Sequence, residues 1–227
     1  MEKTGIRAAV NVLIVAMTVA ALLMMFFWRY GTLLDSGIEG FKYFTVLSNV
    51  FGGGTALVWL LLTAGGVKGK ALRALELLKY AAAVCLGLTF LTVMVFLGPI
   101  YGYFSMFVSA NFFFHLMTPL AAMAEFVLLN RQKISLKHSF LAMTPMAAYL
   151  VFYVIFNLVM GRGEDPFEYD WYGFLLWGWP VGIVIAVVIT LATFGISALL
   201  RLLNGRVNAR FCSAADSLPL IDNQYHT

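Results

Sequence analysis

Charged residues are scarce in this chain, where Asp, Glu, Lys and Arg together make up 11% of 227 residues. Soluble domains carry about 25% charged residues, so the composition excludes an ordinary soluble globular protein. A helix needs about 20 mostly apolar residues to cross a bilayer core. Four uncharged runs are long enough for one span each, and the fifth is long enough for two. The five runs are 8–28, 43–67, 80–124, 139–161 and 171–200.

The sequence therefore predicts an all-α, polytopic membrane protein with six transmembrane helices in a single domain, residues 1–203. The longest run is divided by a turn-like segment rich in glycine, proline and tyrosine at 98–103. The predicted helices span approximately 8–30, 41–64, 74–97, 106–129, 139–160 and 172–203. Residues 204–227 form a polar tail.

Cysteine and histidine are also rare, and their positions exclude several cofactors. The two cysteines fall in the third span and in the tail, so no disulfide is expected. His115 is the only histidine within a span, which excludes a bis-histidine haem and a structural zinc site in the bilayer. No cofactor, metal or nucleic-acid partner is expected. The number of copies in an assembly stays open.

The basic residues predict the orientation in the membrane. Twelve of the 15 Lys and Arg residues lie on the side that carries both termini. Only Arg29, Lys42 and Arg162 lie on the other side. By the positive-inside rule, both termini are cytoplasmic.

Polar side chains inside the spans concentrate near the non-cytoplasmic ends of three helices. In helix 2, Thr45, Ser48 and Asn49 share one helical face, and in helix 4 Asn111 and His115 do the same. Because unpaired polar groups are costly in hydrocarbon, such a cluster marks a candidate functional site.

Three further features belong to the same region. At a rise of about 1.5 Å per residue, Asn157 of helix 5 reaches a depth similar to that of His115. Pro119 lacks the N–H that would bond the His115 carbonyl one turn earlier, so a kink is expected there. The glycine triplet at 52–54 allows close approach of another helix or an acyl chain.

Between Lys79 and Glu125 there is no Asp, Glu, Lys or Arg, and His115 is the only residue whose ordinary pKa lies near neutral pH. Its imidazole can take a proton from a Ser or Thr hydroxyl that attacks an ester, and then return it to the leaving alcohol. Amide groups of Asn49, Asn111 or Asn157 are candidate donors to the oxyanion. No carboxylate is placed to orient the ring, so a dyad is expected. The alternatives are a transporter or a lipid- or small-molecule-binding protein that uses the same pocket, and a structural membrane subunit in which these groups tie helices together.

The loop between helices 5 and 6 contains four carboxylates within seven residues. They fit either a divalent cation site or a solvated lid whose aromatic residues anchor helix 6 at the interface. The four are Glu164, Asp165, Glu168 and Asp170.

Three segments resemble a known family. The stretch 41–49 (FKYFTVLSN) is similar to the second-helix motif of the androgen-induced and androgen-dependent (TFPI-regulating) membrane proteins, and closer still to their six-helix bacterial relatives. The stretch 114–120 (FHLMTPL) resembles the fourth-helix histidine motif of that family. The segment 149–179 is similar to the region between helices 5 and 6 of bacterial members.

The resemblance implies an intramembrane threonine hydrolase that cleaves fatty-acyl esters such as fatty acid esters of hydroxy fatty acids. It assigns Thr45 as the nucleophile and His115 as the base. A bacterial plasma membrane location and a membrane-lipid substrate follow from it. A more distant relative is a cysteine-dependent phospholipid acyltransferase, but Cys85 does not lie in the polar layer that such chemistry would need.

Overall fold

The computed structural model describes residues 2–28, 37–161, 163–165 and 167–216, and every regular element within them is helical. Six helices are long and apolar enough to cross a membrane, as predicted. They are α1 (Glu2–Phe27), α2 (Phe44–Ala64), α3 (Lys70–Tyr101), α4 (Ala110–Leu129), α5 (Leu136–Met160) and α6 (Trp179–Asp216).

Because the number of spans is even, α1 begins and α6 ends on the same side of the bundle. We call this the terminal side, and we call the opposite side, where α2, α4 and α6 begin, the far side. The cytoplasmic assignment of the terminal side stays a prediction. Arg29 and Arg162, on which it partly rests, lie outside the described residues.

Several helix ends differ from those predicted by hydropathy. The break after the third span falls at Gly102, whose φ of 84° lies in the left-handed region. Helix α6 begins at Trp179 instead of near 172, because the aromatic residues before it form turns around Gly173 and Gly178, both with positive φ. Helix α1 begins at Glu2 and α4 at 110. Residues 29–30 and 217–227 of the predicted first helix and tail lie outside the described part.

Helix α3 is the centre of the bundle, with 61% of its most apolar window buried, whereas the value for α6 is 17%. Helices α2 and α4 pack on α3, and α1 packs on α2 and α4. A Cβ added at Gly52 would lie 2.7 Å from the Leu86 side chain, and one at Gly53 would lie 2.7 Å from the Thr18 hydroxyl. The glycines therefore permit close contact of α2 with α3 and α1.

Candidate functional site

The first turns of α4 are not a regular α-helix. Residues Phe113–Met117 form a π-helical segment, and the Thr118 N–H bonds the carbonyl of Phe113, five residues earlier. In that register the next carbonyl, Phe114, faces Pro119, which has no N–H to give. The sequence prediction of a free carbonyl at His115 assumed an α-helical register and stays a prediction. The π turn adds the Phe114 carbonyl to the groups that Pro119 leaves without a backbone donor. Such turns occur frequently at functional sites.

Asn49 of α2 supplies the missing donor. Its side-chain Nδ2 donates to the Phe114 carbonyl at 3.0 Å and to the Thr45 carbonyl at 2.8 Å. Both of its N–H groups are engaged, so none is left for an oxyanion. Two oxygens that share one nitrogen at these distances lie within about 6 Å of each other. The backbone at Thr45 therefore adjoins the residue that precedes His115.

The imidazole of His115 is buried, with 4% of the residue exposed. Its Nδ1 lies 2.8 Å from the Met106 carbonyl oxygen. A carbonyl can only accept, so Nδ1 carries the proton and Nε2 keeps its lone pair. The sequence analysis found no group to orient this ring, because a backbone carbonyl brought in by the 103–109 loop leaves no mark in the side-chain pattern.

Thr45 lies one turn before Asn49 and is half-buried. Its hydroxyl makes no hydrogen bond within the described residues, and none joins it to His115. Ser48 is buried beside it, and its hydroxyl donates to the Thr45 carbonyl at 3.0 Å and lies 3.1 Å from the Thr89 hydroxyl of α3. Ser48 thus ties α2 to α3, while the Thr45 hydroxyl is uncommitted.

Several buried polar atoms around these residues lack a partner within the described part of the chain. They are Oδ1 of Asn49, Oδ1 of Asn111 and Oγ1 of Thr118. Asn111, His115 and Thr118 of α4 are all buried, with 1%, 4% and 0% of each residue exposed. An unpaired buried polar atom costs about 1–3 kcal/mol, so these groups are poised for a ligand. We call the set Thr45, Ser48, Asn49, Asn111, His115 and Thr118 the far-side polar layer.

Asn157, which was expected in the same layer, lies elsewhere. Its Nδ2 donates to the Tyr153 carbonyl at 2.9 Å. Asn157 lines a separate cavity beneath the loop between α5 and α6, and neither Thr45 nor His115 lines that cavity. The depth estimated from the rise per residue placed Asn157 on the far side. Depth does not determine which neighbouring helix or loop the Asn157 side chain faces.

The loop between α5 and α6 covers the start of α2 with aromatic side chains. The Tyr172 hydroxyl of this loop accepts the Phe44 N–H at 2.7 Å, and the hydroxyl of Tyr149, which belongs to α5, donates to the Lys42 carbonyl at 2.5 Å. Burial, and then the neighbouring Tyr149, raise the pKa of Tyr172 well above its usual value, so this phenol stays protonated. The loop thereby closes over the residue next to Thr45.

The carboxylates of this loop serve mainly to fold it. Asp170 is buried and accepts the Tyr153 hydroxyl and the N–H groups of Phe174 and Leu175, the last two at 3.0 and 2.8 Å. Glu168 accepts the Glu164 N–H at 3.0 Å. Within the described residues, no group of three or more His, Cys, Asp or Glu side chains is arranged to hold a metal ion.

The sequence analysis missed a charge network at the other end of the same helices. Arg7 forms a bidentate pair with Glu76 at 2.6 and 2.7 Å, and its Nε donates to Glu125 at 2.6 Å. The Lys79 ammonium lies 3.5 Å from Glu125 and donates to Asn11.

Trp59 completes this network by donating to Glu76 at 3.0 Å. We call Arg7, Asn11, Trp59, Glu76, Lys79 and Glu125 the terminal-side charge network. The spacing of the residues could have indicated this network, because Arg7 and Asn11 share a helical face, as do Glu76 and Lys79. The network was missed because Arg7 and Lys79 were counted as loop charges.

Compared with family models, curated proteins and solved structures, the chain gives no match.

Proposed function

We propose that this protein is an intramembrane lipid-ester hydrolase in which Thr45 is the nucleophile and His115 the general base. The observation that carries the proposal is the Nδ1 contact of His115 with the Met106 carbonyl at 2.8 Å. It fixes the tautomer in which Nε2 accepts a proton, which is the form that a general base needs. The resemblance of segments 41–49 and 114–120 to threonine hydrolases supports the same pair.

The chemistry follows from these two groups. The Thr45 oxygen attacks the acyl carbonyl while its proton passes to Nε2 of His115. The resulting imidazolium returns that proton to the leaving alcohol oxygen as the ester C–O bond breaks, and an acyl-threonine remains. Water, or a hydroxyl of a second lipid, then attacks the acyl carbonyl while His115 takes its proton. The imidazolium returns that proton to the Thr45 oxygen as the bond between Thr45 and the acyl group breaks, which releases the fatty acid or the new ester.

Asn111 is the best remaining donor for the oxyanion. It is buried, and its amide makes no side-chain hydrogen bond within the described residues. Asn49 is excluded from that role by its two backbone contacts, and Asn157 by its separate cavity. Catalytic hydrogen bonds often tighten only when substrate binds, so the proposal requires Nε2 to reach the Thr45 hydroxyl, directly or through one water, in the substrate complex.

The proposed substrate is a fatty-acyl ester, such as a fatty acid ester of a hydroxy fatty acid. An amphiphile of this kind would enter from the bilayer, and a bacterial plasma membrane is the proposed location. The aromatic loop over Phe44 would exclude bulk water from the polar layer.

A fluorophosphonate probe tests the proposal on purified protein in detergent. We expect the wild type to acquire an adduct that mass spectrometry maps to Thr45, and we expect Thr45→Ala and His115→Ala to lose it. Thr190→Ala is the matched control, since that exposed hydroxyl only bonds the Ala186 carbonyl of its own helix. A wild type that neither labels nor hydrolyses a fatty-acyl ester would overturn the proposal, as would an adduct on another residue.

The terminal-side charge network favours a second candidate, a transporter or lipid-binding protein without covalent chemistry. Ionisable groups within spans pair with one another along substrate and ion pathways. For this candidate, the far-side layer would bind the same lipid ester unchanged. If this candidate is right, Thr45→Ala binds the ester saturably and the wild type forms no product from it. If the protein is a hydrolase, the wild type forms product and Thr45→Ala does not.

A further inference from the structure

The cavity that Asn157 lines lies on the far side, beneath the loop between α5 and α6. Its volume is about 430 Å³, which is within the range of roughly 300–1,000 Å³ found for small-molecule sites. Asn157 and Leu158 of α5, Glu164 and Asp170 of the loop, and Trp179 of α6 contribute to its lining. It is separate from the far-side polar layer, so it does not depend on the proposed hydrolase activity.

The polar side chains of this cavity are mostly acceptors. Asn157 is only 5% exposed, its Nδ2 is engaged by the Tyr153 carbonyl, and its Oδ1 has no partner within the described residues. The Glu164 carboxylate likewise forms no hydrogen bond or ion pair there. Asp170 adds a second negative charge. Neither Lys nor Arg is among the described lining residues, and Arg162, which stands between the lining residues Gly161 and Gly163 in the sequence, lies outside the described part of the chain.

The rest of the lining is apolar and continuous with the outer surface of the bundle. Leu158 is 62% exposed on α5, so one wall of the cavity continues onto the face that six spanning helices would present to lipid. Trp179 contributes an indole ring, and aromatic rings attract cations through their π face. The cavity therefore pairs an anionic, acceptor-rich end with an apolar wall.

We propose that this cavity binds an amphiphile with an ammonium head group. The N–H groups of the ammonium would donate to Asn157 Oδ1 and the Glu164 carboxylate, and its apolar part would lie along Leu158 and Leu175. A metal ion fits less well, because Asp170 is committed to three donors of its own loop. Amine lipids and soluble amines share the ammonium chemistry.

Three probes distinguish these sources: phosphatidylethanolamine, phosphatidylglycerol with the same acyl chains, and free ethanolamine. Binding to the purified, delipidated protein is measured by native mass spectrometry. We expect phosphatidylethanolamine to bind about tenfold more tightly than phosphatidylglycerol, since only its ammonium group can donate charged hydrogen bonds to these acceptors. Free ethanolamine that binds as tightly as the lipid would identify a soluble amine as the ligand, and weaker binding would identify the lipid.

Two variants test the residues. Asn157→Leu and Glu164→Gln should each weaken phosphatidylethanolamine binding by about tenfold. The Glu164 side chain is exposed and forms no hydrogen bond or ion pair within the described residues, so Glu164→Gln keeps the fold. Glu39→Gln, an exposed carboxylate elsewhere on the far side, is the control and should bind as the wild type does. Equal affinity for the two phospholipids, or unchanged binding by Glu164→Gln, would overturn the proposal.

Discussion

The two ends of the same four helices contrast in how their polar groups are satisfied. In the terminal-side charge network, two cations and two carboxylates are paired, and both oxygens of Glu76 accept hydrogen bonds. In the far-side polar layer the groups are neutral, and several buried atoms lack partners within the described chain.

An apolar layer separates the two sets. On α1, Ile14 lies between Asn11 and Thr18, and on α4, Ala122 lies between Thr118 and Glu125. Seven residues of helix correspond to about 10 Å. The paired groups of the terminal-side charge network hold helices together, whereas several groups of the far-side polar layer keep unused hydrogen-bonding capacity.

The largest effect on stability is expected from Arg7→Met. The change leaves Glu76 and Glu125 buried without their main cationic partner, and removing one member of a buried ion pair costs about 3–5 kcal/mol. Unfolding of the purified protein in detergent, followed by circular dichroism, measures it. Lys42→Met is the control, because its 3.8 Å pair with Glu39 is exposed and should contribute under about 1 kcal/mol. A loss of similar size in both variants would contradict the account.

A smaller loss of stability is expected from Asn49→Ala. It leaves the Phe114 carbonyl buried without a donor, at a cost of about 1–3 kcal/mol. The same unfolding measurement applies, with Ser105→Ala as control because that hydroxyl makes only exposed contacts. An unchanged melting temperature for Asn49→Ala would mean that the Phe114 carbonyl has another partner.

Pro119→Ala tests the π-helical register. The alanine supplies an N–H to the Phe114 carbonyl, so Asn49→Ala should cost less in this background than in the wild type. Neighbouring sites that share a partner couple by about 0.5–3 kcal/mol, and we expect the low end of that range. A double-mutant cycle of unfolding free energies measures the coupling, and strict additivity would argue against the register described for α4.

The smallest effect on stability is expected from Thr45→Ala. Its hydroxyl makes no hydrogen bond within the described residues, so the change should stay within about 0.5 kcal/mol. The unfolding free energy of this variant, compared with that of Thr190→Ala, checks it. A large destabilisation would assign Thr45 a role in holding helices together instead of one in chemistry.

The sequence predicted the six spans because uncharged runs of sufficient length leave few alternatives. It also predicted that Ser48 and Asn49 share a face, and that Asn111 and His115 do, because side-chain direction along a helix follows from spacing alone. It did not predict the Asn49–Phe114 contact or the Met106–His115 contact, since each involves a backbone carbonyl whose position depends on tertiary packing.

The terminal-side charge network was not predicted from the sequence, for a related reason. Arg7 and Lys79 stand near helix ends, where a basic residue is usually solvated, and only the packing of α1 and α3 against α4 reveals that they are paired. The position of Asn157 in a separate cavity likewise depends on the rotation of α5, which the hydropathy of that helix does not determine.

Turnover of a fatty acid ester of a hydroxy fatty acid in nanodiscs shows whether Thr45 and His115 catalyse ester hydrolysis, when wild type, Thr45→Ala, His115→Ala and Thr190→Ala are compared. General-base catalysis contributes about 100-fold or more, so the account predicts a loss of at least that size in His115→Ala and Thr45→Ala, together with wild-type turnover in Thr190→Ala. Hydrolysis by His115→Ala at the wild-type rate would contradict it.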